Sequence, residues 1–188
     1  MKPDDEISQL EEHLDVLRAQ RGDMDAFGRL VGQYERRVLY FILRFTDDAD
    51  QAVDVIQEVW LSVFRLLPGL KAPEAFRVWI YKIAHGKVVA FLRRKRRIAA
   101  SIDTAEIPST EVTNCDETAF ENAELVHRAL GDLSIEHREV LALHFLEGMS
   151  LEEIAQAISC PLGTVKSRMY YAKRSLRNVV ERLIDDGP

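Results

Sequence analysis

Apolar side chains recur every three or four residues along almost the whole chain, and this spacing restricts the fold more than any other feature. No segment shows the sustained period-two alternation, rich in β-branched residues, that is typical of a half-buried strand. The pattern is clear at Phe27, Leu30, Tyr34, Val38 and Phe41, which follow one another at steps of three or four. The sequence therefore predicts an all-α protein.

Capping and helix-breaking residues predict where the helices begin and end. We expect helices over residues 7–21 and 25–45, a third that Asp47 or Asp48 caps and Pro68-Gly69 ends, and a fourth that begins after Pro73 and runs into an arginine cluster. The periodicity fades from Ile98 to Ala119, where Pro, Ser, Thr, Asp and Glu dominate. The prediction is two small helical domains, 1–97 and 120–188, joined by an acidic flexible linker, 98–119.

Several classes of protein are disfavoured by composition. Cys115 and Cys160 are far apart and outside any CxxC pairing, which indicates neither a disulfide framework nor a zinc site. No apolar run approaches the roughly 20 residues that span a bilayer, and the acidic N-terminus lacks a signal-peptide core. We therefore expect a cytoplasmic protein with no membrane insertion, no metal and no cofactor.

The formal net charge of -6 argues at first against a nucleic-acid partner. The cations, however, are concentrated in two places, the run from Arg93 to Arg97 and the last helix from Lys166 to Arg182. Because local potential decides where a polyanion binds, these two segments are candidate nucleic-acid surfaces.

The segment from Gly148 to Arg168 has the pattern of a helix-turn-helix. Ser150 and Glu153 have the spacing of a capping box, and a short turn at Ser159-Cys160 precedes Pro161, which suits a helix start because it has no amide hydrogen. The second helix is predicted to bury one apolar stripe, consisting of Val165, Met169, Ala172 and Leu176.

The rest of that second helix is polar and cationic, as a recognition helix in the major groove requires. Gly163 and Thr164 lie in its first turn, where free amides can hold a phosphate. The alternative is a solvated helix face whose cations only offset the helix dipole. The candidate DNA-binding residues are Gly163, Thr164, Lys166, Ser167, Arg168, Tyr170, Tyr171, Lys173 and Arg174.

At these residues the chain resembles the extracytoplasmic-function (ECF) group of bacterial RNA polymerase sigma factors. The C-terminal half matches the group at Glu153-Ile154-Ala155 and at Gly163-Thr164-Val165-Lys166-Ser167-Arg168. The N-terminal half matches at Gln57-Glu58-Val59-Trp60 and at Trp79-Ile80-Tyr81-Lys82-Ile83-Ala84, followed by Arg93-Arg94. Both halves match in the order that the group has, so the resemblance covers nearly the whole chain.

The resemblance implies a promoter-recognition protein without catalytic activity of its own. An N-terminal sigma domain 2 would bind the β′ clamp helices of core RNA polymerase and open the minus-ten element. A C-terminal sigma domain 4 would read the minus-thirty-five element and contact the β flap, and an anti-sigma factor is an expected partner. The implied polymerase-binding residues are Asp54, Gln57, Glu58 and Trp60, for which a solvated helix face is the alternative.

The resemblance also places minus-ten contacts in and after the loop 67–76, where the family captures a flipped base. For Trp79 a core position is favoured, because an aromatic residue at helical spacing usually packs inward. Gly86, Ala90 and Tyr171 depart from the residues usual in the family, so a promoter sequence does not transfer. The implied minus-ten residues are Lys71, Phe76, Trp79, Tyr81, Lys82, Arg93, Arg94, Arg96 and Arg97.

Two other functions compete with this interpretation. A helix-turn-helix repressor or response-regulator effector explains the C-terminal half equally well, and it predicts duplex binding without polymerase. A hydrolase or nuclease would use Asp47, Asp48, Asp50 and Asp54 to chelate a metal. Capping already accounts for acids at a helix start, and the five histidines form no ligand-spaced pair such as HExxH.

Overall fold

The computed structural model describes residues 3–46, 48–101 and 130–185, and the side chains of 7–46, 48–98 and 130–182 within them. Every regular element in these ranges is helical, and no strand occurs there. The predicted all-α class is confirmed.

Four helices form the N-terminal unit: α1 (Pro3–Ala19), α2 (Met24–Ile42), α3 (Ala49–Leu66) and α4 (Phe76–Ser101). Asp23 caps α2 by accepting from the Ala26 amide, and Asp48 caps α3 by accepting from the Gln51 amide. Of the two predicted caps for α3, Asp48 is the one observed, and Asp47 lies outside the described residues. Two 3-10 turns, Leu67–Gly69 and Pro73–Ala75, join α3 to α4.

The first helix is tied to the rest of the unit by polar contacts. The Gln20 amide donates to the carbonyls of Leu67 and Leu70, at 3.0 and 2.6 Å. Asp15 pairs with Arg29 at 2.6 Å. The Gln20 contacts hold the loop between α3 and α4 against the end of α1, and the Asp15–Arg29 pair joins α1 to α2.

Several helix ends differ from the prediction: α1 runs over Pro3–Ala19 where 7–21 was predicted, and the ends of α2 and α4 also differ. Helix α2 ends at Ile42, three residues before the predicted end at Phe45, although Phe45 is buried. The apolar spacing correctly indicated that Phe45 is buried, but a residue can be buried without being part of the helix. Helix α4 continues past Ile98 to Ser101, into the segment predicted as linker. The rest of that linker, and the start of the predicted C-terminal domain at 120–129, lie outside the described residues.

The C-terminal unit contains α5 (Ile135–Leu141), a π-helix (Ala142–Leu146), α6 (Leu151–Ala157) and α7 (Leu162–Asp185). Gly148 takes a φ of +64° between the π-helix and α6, a left-handed conformation that favours glycine. Helix α7 packs on both α5 and α6. The long helix is therefore supported along its first half by two short ones.

The two units pack against each other, with α4 of the first against α6 of the second. Buried apolar residues of both units form one continuous cluster. Helix α5 packs on α7 and also contacts the N-terminal unit, where Glu139 pairs with His85 and Arg138 donates to the Arg44 carbonyl. The five consecutive residues from Glu139 to Leu143, which run from α5 into the π-helix, are all buried. This packing decides which faces of α4 and α7 remain accessible.

Candidate nucleic-acid interface

The helix-turn-helix geometry is present as predicted. Ser150 Oγ accepts from the Glu153 amide at 3.1 Å, and Glu153 Oε2 accepts from the Ser150 amide at 2.8 Å. The predicted capping box is therefore confirmed. Ser159 turns the chain with a φ of +52°, and the Pro161 carbonyl accepts from the amides at the start of α7.

The predicted apolar stripe of α7 is also confirmed. Val165, Met169 and Ala172 are buried, and Leu176 is half-buried against the same cluster. The opposite side of the helix is left to solvent. There Tyr170 is 65% exposed and Tyr171 55%, with their rings in an edge-to-face contact at 5.3 Å.

The predicted DNA-binding residues of α7 lie on this open side. Gly163 is exposed, while Thr164 and Arg168 are half-buried. Ser167 donates its hydroxyl to the Thr164 carbonyl at 2.9 Å. None of the described cations of α7 is buried against the N-terminal unit. We call the exposed side chains among these residues the α7 surface, and it consists of Lys166, Ser167, Tyr170, Tyr171, Lys173 and Arg174.

The cations predicted to contact the minus-ten region are exposed as well. Lys71 and Lys82 face solvent, and Arg93, Arg96 and Arg97 line one concavity near the C-terminal end of α4. Arg94 is exposed beside them. We call the exposed set along α4 the α4 surface, and it consists of Lys82, Arg93, Arg94, Arg96 and Arg97.

The aromatic residues predicted for the same role are arranged differently. Phe76 and Tyr81 are both 0% exposed, so the expectation that they offer rings to DNA is not met in this arrangement. Phe76 packs edge-on against Tyr34 at 5.4 Å, and Tyr81 packs edge-on against Phe41 at 5.6 Å. Trp79 is half-buried with its ring 5.9 Å from Phe76, in keeping with the favoured core position.

Tyr81 is covered in part by the C-terminal unit. The Glu147 carboxylate lies near the Tyr81 hydroxyl, and burial together with this carboxylate raises the pKa of Tyr81 well above its usual value. Glu147 is itself buried and pairs with Arg37 of α2 at 3.0 Å. The C-terminal unit thus closes over one face of α4.

Further polar contacts join the two units. Arg77 of α4 pairs with Glu153 of α6 at 2.8 Å, and His85 of α4 pairs with Glu139 of α5. Burial acts to raise the pKa of Glu153, but the Ser150 amide and the Arg77 guanidinium outweigh it, so this pKa lies below its usual value. In each of the three described pairs that join the two units, the N-terminal unit supplies the base and the C-terminal unit supplies the acid.

Comparison with known proteins decides what the two units are. Residues 30–98 match the family Sigma-70 region 2, and residues 123–176 match Sigma-70, region 4. The RNA polymerase sigma-H factor of Pseudomonas aeruginosa is 33% identical over 183 residues, covering 92% of this chain and 95% of that protein. The ECF RNA polymerase sigma-E factor of Escherichia coli K12 is 32% identical over 187 residues, covering 94% and 97%. The chain belongs to the ECF group of the sigma-70 family.

Solved structures show the same fold. CnrH, solved in complex with the cytosolic domain of CnrY, has a TM-score of 0.69 at 21% identity, covering 92% of this chain and 98% of that chain. The sigma factor RpoE of Bartonella quintana, solved in complex with the anti-sigma factor NepR, has a TM-score of 0.75 at 21% identity, covering 82% and 96%. The N-terminal unit of this sigma factor therefore corresponds to region 2, and the C-terminal unit to region 4. The chain has a role in transcription initiation, which is not a catalytic activity.

The predicted polymerase-binding residues of this sigma factor lie along α3. Asp54, Gln57 and Glu58 are exposed, and Glu58 pairs with Lys87 of α4 at 3.2 Å. Trp60 is only half-buried, and its ring meets Phe27 edge-on at 6.1 Å. The indole of Trp60 therefore contributes to packing between α2 and α3.

Sequence reasoning assigned no role to four exposed apolar residues of α3, namely Val53, Leu61, Phe64 and Leu66. They lie outside the buried stripe and alternate with the exposed acidic and amide side chains. Their signal in the sequence was their position off that stripe, because exposed apolar residues beside polar ones mark protein-binding surfaces.

The sites required by the enzyme alternative are not formed by the described residues. Across 3–46, 48–101 and 130–185, no three His, Cys, Asp or Glu side chains come together in a group that could hold a metal ion. Asp48 is occupied as a helix cap. None of the helices in the described part of the chain combines the length and apolar character needed to cross a bilayer.

Proposed function

We propose that this sigma factor reads the minus-thirty-five element with the α7 surface and melts the minus-ten element with the N-terminal unit. The observation that carries the proposal is the division of α7 into a buried apolar stripe and an open cationic and aromatic side. A helix supported from behind in this way can enter the major groove without unfolding. In this proposal residues 1–97 act on the minus-ten element, residues 120–188 read the minus-thirty-five element, and residues 98–119 link the two.

Lys166, Lys173 and Arg174 supply the charge that phosphates require, and exposed Gly163 lies in the first turn of α7, where a backbone amide can hold a phosphate. The two adjacent tyrosines provide hydroxyls for hydrogen bonds and ring faces for thymine methyl groups. Phosphate contacts position the helix, and contacts to base edges specify the sequence.

The minus-ten role requires movement of the C-terminal unit away from α4. The arginines of the α4 surface are already open to duplex phosphates, whereas Phe76 and Tyr81 are covered. Arg77 and Glu153, which join α4 to α6, are both partly exposed, so this pair is worth little in water, whereas Arg37 pairs with the buried carboxylate of Glu147. Binding to core polymerase can therefore offset the loss of these contacts by favouring the open state.

Core polymerase would bind along α3 through its β′ clamp helices. The acidic and amide residues Asp54, Gln57 and Glu58 set partner choice, and exposed Leu61 and Phe64 add apolar area. The C-terminal unit would contact the β flap. An anti-sigma factor is a further proposed partner, since RpoE was solved with the anti-sigma factor NepR. In this proposal the sigma factor acts in the cytoplasm, with the polymerase.

Run-off transcription with purified core polymerase on genomic fragments tests the proposal. The variant Lys166→Ala, Arg168→Ala, Arg174→Ala removes three contacts of about 1–3 kcal/mol each, so specific initiation should fall by roughly 100-fold or more. Binding to core polymerase should be unchanged. The matched control is Arg18→Ala, Arg21→Ala, Arg36→Ala, which removes the same charge from exposed positions of the N-terminal unit. Promoter selection that is unchanged in the first variant would refute the assignment of α7.

A further inference from the structure

The π-helix before the helix-turn-helix carries an aromatic side chain to the surface. The Glu147 amide donates to the Ala142 carbonyl, five residues back, at 3.3 Å. Turns of this kind are rare and frequently mark functional sites. The residues from Glu139 to Leu143 are buried, and two residues after them Phe145 is 60% exposed. A phenylalanine held in solvent requires an explanation other than core packing.

Phe145 contacts the α7 surface. The Lys173 ammonium lies over the Phe145 ring, with Nζ 5.4 Å from the ring centroid. An ammonium within about 6 Å of an aromatic face is attracted by the electrons of the ring. This contact links the π-helix to a cation that the proposed function assigns to DNA.

The ring of Phe145 is held from behind. The His144 ring meets it edge-to-face, with centroids 4.8 Å apart and an interplanar angle of 75°. His144 Nδ1 donates to the Met149 carbonyl at 2.8 Å, just before the capping box of α6. The support for Lys173 is therefore fixed to the backbone of the helix-turn-helix.

We propose that Phe145 is a positioning residue that holds the Lys173 ammonium ready for a promoter phosphate. The inference rests on the proposed DNA-binding function of α7. Lysine has a long flexible stem and loses rotamer freedom when it is fixed by a ligand. Holding the ammonium over the ring before DNA arrives reduces that loss on binding. The phosphate then accepts hydrogen bonds from the ammonium while the ring stays beneath it.

A protein partner is the other use to which an exposed phenylalanine could be put. The position of Lys173 favours DNA, because an apolar partner on the ring would have to strip water from the adjacent ammonium without supplying an anion. A phosphate supplies that anion. The two uses give different results in the experiment below.

The test is a double-mutant cycle on Phe145 and Lys173 in the holoenzyme. The probe is a duplex enriched from a randomised library by binding to the wild-type holoenzyme. Phe145→Ala should weaken binding to this duplex about two- to fivefold, which is the range of an exposed cation–π contact. Phe145→Tyr should retain wild-type affinity, and Phe145→Leu should behave like Phe145→Ala. In a Lys173→Met background, Phe145→Ala should have no further effect.

Several results would overturn the inference. One is that Phe145→Ala weakens DNA binding equally in the wild-type and Lys173→Met backgrounds. Another is that Phe145→Leu binds DNA with wild-type affinity. A third is that Phe145→Ala loses binding to core polymerase while its DNA affinity stays intact. Lys173→Met with unchanged affinity would also refute it, while the triple variant of α7 would still test the proposed function separately. Should Phe145→Ala fail to fold, the comparison of Leu with Tyr decides, because both keep a large side chain.

Discussion

Helices α4 and α7 both carry cations and aromatic residues, but the structure presents these aromatics in opposite ways. On α7, Tyr170 and Tyr171 are 65% and 55% exposed, whereas Phe76 and Tyr81 of α4 are 0% exposed. The two helices differ in what covers them, since α7 packs on α5 and α6 of its own unit, whereas α4 packs on α2 and α3 of its own unit and also on α6 of the other unit. A helix that packs on a second unit as well as on its own has less free surface than its own sequence indicates.

The cover over α4 is of a kind that can be removed. It includes ion pairs whose bases are partly exposed, Arg37 with Glu147 and Arg77 with Glu153. The exposure of α7 requires no such change. In the proposed function the two DNA surfaces therefore become available in different ways. The α7 surface is exposed as soon as the C-terminal unit folds, whereas the covered face of α4 is exposed only when the two units separate.

The largest expected difference is in stability, between one aromatic residue from each helix. Tyr81→Ala should lower the free energy of unfolding by about 3–5 kcal/mol, because it empties a buried site between packed helices. Tyr170→Ala should change it by no more than about 0.5 kcal/mol. Urea denaturation of the two variants measures both values. Similar losses in both would mean that the two rings are not buried as differently as the structure shows.

The next expected effect is on closure of the two units. Arg37→Ala leaves the buried Glu147 carboxylate without its guanidinium partner, which should shift the equilibrium towards separation by roughly tenfold, or about 1.4 kcal/mol. Energy transfer between dyes at Arg18→Cys and Arg177→Cys, in a chain with Cys115→Ser and Cys160→Ser, reports the separation. Arg36→Ala is the control, because Arg36 is exposed on the same helix. Equal transfer in the two variants would exclude Arg37 from the closure.

A smaller effect follows from the lowered pKa of Glu153. The closed arrangement favours the charged carboxylate, so its contribution is present above the ordinary pKa of 4.5 and is lost as the pH falls through the lowered value. Glu153→Gln keeps an acceptor for the capping box and loses the pair with Arg77. The wild type should show higher energy transfer than this variant at neutral pH, and the gap should narrow in acid. A gap that is constant down to about pH 3 would mean that Glu153 does not contribute through its charge.

The smallest effect concerns the turn before α7. Ser159 adopts a left-handed φ of +52°, which costs a residue with a Cβ about 1 kcal/mol. Ser159→Gly should therefore raise the melting temperature slightly and leave the energy transfer between the two units unchanged. A lower melting temperature would show that the Ser159 side chain stabilises the fold by more than its left-handed backbone conformation costs.

The parts of the fold that depend on one helix at a time could be predicted from the sequence. The capping box at Ser150 and Glu153 is an example, since it follows from local spacing and the structure has it. The burial of Phe76 and Tyr81 could not be predicted, because their cover comes from α2 and from the C-terminal unit. Phe145 was missed for a related reason. It lies on a different element from Lys173, and a π turn breaks the 3.6-residue periodicity on which the prediction depends.

The most direct measurement is energy transfer between the same two dyes before and after core RNA polymerase is added. Two units that pack together in the free chain, and that must separate to uncover the face of α4 at Tyr81, should give high transfer alone and low transfer in the holoenzyme. Arg37→Ala should lie between these values before polymerase is added. Transfer that stays high in a holoenzyme active in run-off transcription would contradict the account, because α4 would then act while still covered.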